Sequence, residues 1–167
     1  MKTKPNKTTF LNPTKREDKW YLVDAKDQIL GKISEKIAIL LTGKDNPNYT
    51  PSQNWGGKVV VINAEKIKVT GKKMEDKQYI RHTGFPKGLR SESLESLMVR
   101  LPTEALRRSV SGMLPKNKLR KERLANLYIY AGEEHPHTAQ LNKSANFAQA
   151  NNWNNANAYP KFILAAP

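Results

Sequence analysis

The chain has 167 residues, no cysteine, and 29 lysine and arginine residues against 15 aspartate and glutamate residues, a formal net charge of +14. The absence of cysteine excludes disulfides, thiolate catalysis and cysteine-bound zinc. The longest apolar runs, Ile37–Leu41 and Phe162–Ala166, are too short to span a bilayer and no secretory signal is visible, so we expect a soluble protein inside a cell or organelle.

The first part of the chain predicts an arm, a strand and a helix. Residues 1–18 are basic, polar and interrupted by two prolines, which predicts an extended arm before a domain at 19–140. A strand is predicted at Trp20–Val23, ending at Asp24. The next apolar residues recur at helical spacing, with Gly43 as a C-terminal cap. They are Ile29, Ile33, Ile37, Leu40 and Leu41.

The middle of the chain predicts a buried strand. Lys58–Asn63 is apolar without alternation, as in a strand of a parallel sheet that is covered on both faces. Ile67–Val69 is a further short strand candidate, and Thr70–Lys73 predicts a turn. From Tyr79 to Arg90 the chain is basic and punctuated by glycine and proline.

The second half predicts three helices and a last strand. One helix carries an apolar stripe from Leu94 to Leu101, and Pro102 ends it and opens the next helix. In that second helix the residues expected to face inward are Ala105, Leu106, Val110 and Met113. A short helix is predicted within 117–125 and a strand at Leu127–Tyr130. Residues 141–167 are rich in asparagine, and we expect this extension to be ordered only when docked.

Alternating strands and helices predict an α/β domain, but the usual catalytic motifs of such domains are missing. Gly43-Lys44 and Gly71-Lys72 lack the residues of a phosphate-binding Walker loop. The segment Glu133–His137 has two histidines without metal-ligand spacing, so a Pro-fixed turn whose imidazoles bind RNA phosphate or backbone is the preferred interpretation. The sequence therefore predicts neither catalysis nor a metal or other cofactor.

The densest charge lies at 116–123, where five cations accompany the single acid Glu122. Because apolar residues flank this block, we expect it on a folded surface, where fixed positive charge is typical of nucleic-acid binding. Residues 82–90 add cations, two glycines and Phe85, which either stacks on an unpaired base or lies in the core. The candidate RNA-binding residues are Lys44, Lys72, Lys73, Arg81, His82, Lys87, Arg90, Arg107, Arg108, Lys116, Lys118, Arg120, Lys121, Arg123, His135 and His137.

A series of motifs occurs in the order of one family. They include Trp20-Tyr21-Leu22-Val23-Asp24-Ala25, Leu41-Thr42-Gly43-Lys44, Val60-Val61-Ile62-Asn63-Ala64-Glu65-Lys66, Gly112-Met113-Leu114-Pro115-Lys116-Asn117 and Glu133 with His135-Pro136-His137. From about Trp20 to Gln140 the chain resembles the universal large-subunit ribosomal protein numbered thirteen.

The resemblance implies a single three-layer α/β/α domain around a mainly parallel four-stranded sheet, with extended N- and C-terminal segments. It implies a structural role in translation, in which the protein binds 23S-type rRNA early in ribosome assembly beside neighbouring large-subunit proteins. The start of the chain and its added extension favour a plastid ribosome, with a bacterial one as the alternative.

Three positions depart from the family pattern. Lys58 stands where the family mostly has aspartate, Phe85-Pro86-Lys87-Gly88 replaces a more glycine-rich turn, and Arg120 replaces a glycine. Arg120 raises a question about the local backbone, because glycine reaches positive φ more easily than arginine does. A free RNA-binding regulator and an enzyme that depends on His82 or His137 are the rival hypotheses.

Overall fold

The computed structural model describes residues 19–47 and 49–141, which form an α/β domain. The predictions for an arm at 1–18 and an extension at 141–167 lie outside the described residues, except for Leu141, which is buried. The elements, in chain order, are β1 (Trp20–Asp24), α1 (Leu30–Thr42), β2 (Lys58–Ile62), α2 (Lys73–Asp76), β3 (Gln78–His82), β4 (Leu89–Ser93), α3 (Leu94–Arg100), α4 (Pro102–Met113), α5 (Leu119–Ala125) and β5 (Leu127–Ile129).

The main sheet is parallel and has the strand order β1-β2-β5. Trp20 pairs with Lys58 at one end of the first ladder, and Val60 pairs with Tyr128 in the second. Val59, Val60 and Val61 of the central strand are fully buried, as the unbroken apolar run predicted. The predictions for β1, β2 and β5 are confirmed.

The strand predicted at Ile67–Val69 was wrong, because this segment forms one parallel bridge, between Lys68 and Ile29. The Lys68 N–H donates to Gln28 and the Lys68 carbonyl accepts from Leu30, both at 2.9 Å. The bridge partner of Lys68, Ile29, lies in the turn between β1 and α1. Because α1 begins at the next residue, the two segments cannot form further strand pairs. The described part of this sheet has three strands, and the four-stranded, three-layer arrangement stays an expectation.

Helix α1 forms as its apolar spacing predicted, with Ile33, Ile37 and Leu41 buried. Gly43 ends it in the left-handed conformation at φ 79°, and its N–H donates to Ile39 and Leu40. The chain then returns to the helix end, where the Gly57 N–H donates to Leu40 at 3.1 Å. A Cβ on Gly56 would overlap the carbonyl of Leu41, so this close return requires glycine.

Helices α3 and α4 confirm the predictions for the second half, with Pro102 in the first turn of α4. Ala105, Leu106 and Val110 face the core, but Met113 does not and is 45% exposed. The prediction for Met113 was wrong because α4 ends there, and Leu114, 2% exposed, takes the core position in the following extended chain. Each helix within residues 19–47 and 49–141 is too short or too polar to span a bilayer.

Strands β3 and β4 form an antiparallel hairpin that the sequence did not predict. Nearly all of its residues are exposed, so the chain there lacks the apolar alternation of a half-buried strand. Helix α2 and helix α3 pack at its base. A two-stranded hairpin is marginally stable alone, so this packing anchors it.

A partly buried polar contact joins the sheet to the loop after α1. The hydroxyl of Tyr21 donates to Asp45 Oδ2 at 2.9 Å. Burial, reinforced by the neighbouring Asp45 carboxylate, raises the pKa of Tyr21 well above its usual range.

Replacing Tyr21 with phenylalanine is expected to lower the free energy of unfolding by about 1 kcal/mol at pH 8, because it removes this hydrogen bond. The wild-type phenol also binds its proton more tightly when folded. Its contribution is therefore full below the unfolded pKa of about 10 and declines as the pH rises beyond it. Urea unfolding between pH 8 and pH 11 should show a shallower alkaline decline in Tyr21→Phe. Parallel declines in the two proteins would contradict this assignment.

Candidate nucleic-acid interface

One face of the hairpin β3–β4 carries an arginine pair, with Glu92, which is paired with Arg100, nearer the base. Arg81 and Arg90 are directly opposite each other in the strand register, and both are exposed. Two residues earlier on the same face, the ring of Tyr79 has the Arg108 guanidinium 5.0 Å and the Lys77 ammonium 5.6 Å from its centroid. Like charges placed opposite each other destabilise a free hairpin, so this face is suited to an anionic partner.

The tip of the hairpin is held by backbone hydrogen bonds. Thr83 N–H donates to Gly88 at 3.0 Å, and Gly88 N–H donates to Phe85 at 2.9 Å. Lys87 takes φ 61°, a conformation that glycine adopts more easily. Phe85 is 75% exposed, so of the two interpretations of this residue the core position is excluded.

His82 Nδ1 accepts the Gly84 N–H at 3.0 Å. In a neutral imidazole with Nδ1 as acceptor, the proton resides on Nε2, so His82 presents one outward donor. Lys72 and Lys73 are exposed at the start of α2, near the base of the hairpin, and Lys44 is exposed in the loop after α1.

The block at 116–123 divides into free and anchored cations. Lys116, Lys118 and Lys121 are exposed. Arg120 is half-buried, and its Nη2 donates to the carbonyl of Ser111 at 2.5 Å and to its hydroxyl at 2.8 Å. Arg120 has no positive φ and lies within α5, so its replacement of a family glycine does not strain the backbone.

Arg123 is 1% exposed, in contrast to the exposed lysines before it. Its Nη2 lies 3.4 Å from the carbonyl oxygen of Gln53, and its Nε has no hydrogen-bond partner within the described part of the chain. The side chain fastens α5 to the loop before β2 and does not present its charge on the surface. Of the two arginines on α4, Arg107 is exposed, while Arg108 is half-buried and 4.0 Å from Glu104.

Arg123→Ala is expected to cost about 2–4 kcal/mol of stability, because it leaves a cavity beneath Gln53. Arg123→Met keeps most of the volume and removes a poorly compensated buried cation, so it should cost less than about 1.5 kcal/mol. Urea unfolding of the two variants measures the difference. Equal losses would show that the charge, and not the packed volume, stabilises this position.

His137 lies in an aromatic cluster formed by Trp20, Tyr128, Tyr130 and His137. Trp20 and Tyr128 stack with centroids 5.8 Å apart, and the His137 ring is 4.6 Å from that of Tyr128. The Tyr130 hydroxyl and His137 Nε2 are 3.0 Å apart. The half-buried His135 contacts Tyr130 at 6.3 Å between ring centroids. Both imidazoles thus lie against the sheet and face aromatic rings.

Sequence reasoning missed the contribution of Tyr79, which holds Arg108 beside the hairpin, and of the aromatic cluster. No local pattern links Trp20 with Tyr128, because they lie on β1 and β5, which each pair with β2, and His137 lies in the chain after β5. Among residues 19–47 and 49–141, no group of three or more potential metal ligands was found.

Comparison with known proteins places this arrangement in a family. Residues 18–136 match the family model described as Ribosomal protein L13. A protein of Symbiobacterium thermophilum named large ribosomal subunit protein uL13 is 46% identical over 135 residues, which cover 81% of this chain and 94% of that protein. Proteins of the same name from a Cyanothece strain and from Pelobacter propionicus are 48% and 51% identical, covering 81% and 74% of this chain and 91% and 87% of the relatives. With the family model spanning most of its length, the chain belongs to the ribosomal protein L13 family.

Proposed function

We propose that this protein is a structural constituent of the large ribosomal subunit, where it binds 23S-type rRNA and supports early assembly. The family consists of ribosomal proteins and not of enzymes. The observation that carries the RNA proposal is the exposed Arg81–Arg90 pair, on a hairpin without an acidic residue between Lys77 and Ser91. Such a surface binds most favourably to a phosphate backbone, because the arginines release condensed counterions when they bind the phosphates.

The proposed interface consists of exposed or partly exposed cations and His82, while the remaining candidates support the fold. Arg120 and Arg123 hold α5 in place, and His135 and His137 pack against the sheet. The proposed contact residues are Lys44, Lys72, Lys73, Arg81, His82, Lys87, Arg90, Arg107, Arg108, Lys116, Lys118 and Lys121. The further proposed partners are neighbouring proteins of the large subunit. We propose a plastid or bacterial ribosome, in line with relatives that include cyanobacterial and other bacterial proteins.

Fractionation of native extract on sucrose gradients tests the proposal. At low salt the protein should sediment with the large subunit and its rRNA, and molar salt should release it, because screening weakens phosphate contacts. A matched gradient after RNase treatment should leave the protein near the top. Sedimentation mainly outside the large subunit at low salt would favour a free RNA-binding regulator and reject the proposal.

A further inference from the structure

The hairpin β3–β4 exposes apolar side chains that the phosphate contacts do not explain. Phe85, Ile80 and Leu89 are 75%, 66% and 65% exposed. Phe85 occupies the tip, while Ile80 and Leu89 lie on the strands behind it. Exposure of several large apolar side chains on one small element indicates a surface that becomes covered by a partner.

The two faces of the hairpin differ in charge. Residues opposite each other in an antiparallel ladder share a face, so Arg81 and Arg90 lie on one side. The residues that alternate with them, including Ile80 and Leu89, lie on the other side. One side of the hairpin therefore carries Arg81 and Arg90, with Glu92 nearer the base, and the other side carries Ile80 and Leu89 beside His82 and Ser91. The aromatic ring of Phe85 is at the tip. Arg81 and Phe85 are four residues apart in the chain, so an anionic polymer bound at the arginine face lies close to the tip.

Hydrogen bonds fix the backbone around Phe85 before any partner arrives. The turn is closed by the Thr83–Gly88 and Gly88–Phe85 backbone bonds and by the Gly84 N–H bond to His82. Little backbone entropy is then lost when the ring meets a partner, which favours binding. The Nε2–H of His82 is an additional donor beside the ring for a phosphate or base oxygen.

Charge complementarity decides the chemistry of the partner. The hairpin has Arg81, Lys87 and Arg90 and no acid between Lys77 and Ser91, so an anionic partner is favoured over a neutral protein surface. Within RNA, an exposed aromatic ring finds its best contact on the face of an unpaired base, because bases in a helix are already stacked.

We propose that this hairpin is an RNA wedge, in which Phe85 stacks on an unpaired rRNA base while Arg81 and Arg90 bind the phosphates beside it. The proposal rests on the proposed rRNA binding and adds to it a nonhelical site, such as a bulge or a junction. Phe85 contributes a stacking contact that does not depend on salt, and the arginines contribute the salt-dependent part.

The test uses the full-length protein and the in vitro transcript of the large-subunit rRNA from the same organism. Phe85→Leu keeps an apolar side chain but removes the ring, and Phe85→Trp restores a ring. Phe85→Leu is expected to weaken binding about 5- to 150-fold, while Phe85→Trp binds like the wild type. Chemical probing of the RNA bases should show one protected site that is lost only with Phe85→Leu.

Val99→Thr is the matched control, because Val99 is 85% exposed and lies on α3 outside the hairpin. It should bind as the wild type does, and thermal melting should show all the variants folded. Equal affinity and equal base protection for Phe85→Leu and wild type would reject the wedge while leaving rRNA binding intact. Failure of the wild type itself to bind the transcript would reject the proposed function as well.

Discussion

Gly56→Ala is expected to lower the free energy of unfolding by about 3 kcal/mol, the upper range for overpacking a buried site. The new methyl group would meet the carbonyl and Cα of Leu41, which are backbone atoms at the end of α1 and cannot rotate away. Relief requires β2 to move from α1, which would weaken the bond from Gly57 N–H to Leu40. Urea unfolding at neutral pH measures the loss.

Gly31→Ala is the matched control for the same chemical change. Gly31 lies in α1, and apart from the adjacent residues and the backbone of its own helix no atom of the described residues lies within 4 Å of the added Cβ. Alanine should therefore raise stability by about 0.5 kcal/mol. The two substitutions should therefore shift the unfolding midpoint in opposite directions. A stable Gly56→Ala protein would show that the close return of the chain to α1 is not required.

Changing Lys116, Lys118 and Lys121 to glutamine is expected to reduce the salt dependence of rRNA binding. Each lost phosphate contact lowers the slope of log affinity against log salt by about 0.7–0.9, so the triple variant should lose about 2 to 3. Affinity should fall to a similar extent for unrelated RNA sequences, because phosphate contacts carry no sequence information. Binding titrations at several salt concentrations give the slope.

Arg120 is left unchanged in this variant because its bonds to Ser111 would mix a folding effect with a binding effect. The same three lysines changed to arginine keep the charge and should keep the slope. Thermal melts should coincide, since Leu114 and Leu124 supply the apolar contacts and the lysines are exposed. An unchanged slope in the glutamine variant would place the RNA elsewhere on the protein.

The elements with a continuous or helical apolar pattern could be predicted from the sequence. Burial is predicted by the apolar run in β2 and by the helical spacing of Ile33, Ile37 and Leu41 in α1. In the structure these residues are buried. Ile67–Val69 shows the limit of this reasoning. Its apolar residues do face the core, with Ile67 9% exposed, but a ladder also needs a partner of matching length, which pattern does not reveal.

The candidate site could be predicted in part, because a sequence shows which residues are charged but not whether their side chains face solvent or the protein interior. Arg123 belongs to the same basic block as Lys121, but it follows Leu119 by four residues and shares that face of α5. Helical spacing thus offered a signal for its burial. No comparable signal predicted that Arg81 and Arg90 lie opposite each other. Their position depends on the register of β3 and β4, which the apolar pattern of the sequence does not reveal.

The parallel order β1-β2-β5 has a consequence for the timing of folding during synthesis. β2 ends at Ile62 and its second neighbour begins at Leu127, so the central strand keeps one open edge while residues 63–126 are added. At 5–20 residues per second this interval lasts about 3 to 13 s. Hairpin β3–β4 and the helices α2 and α3 that anchor it lie within residues 73–100, so all of these local contacts are available before residue 126 is added, and hairpin formation itself takes only microseconds. The element proposed as the RNA wedge is therefore complete on the nascent chain before the sheet closes.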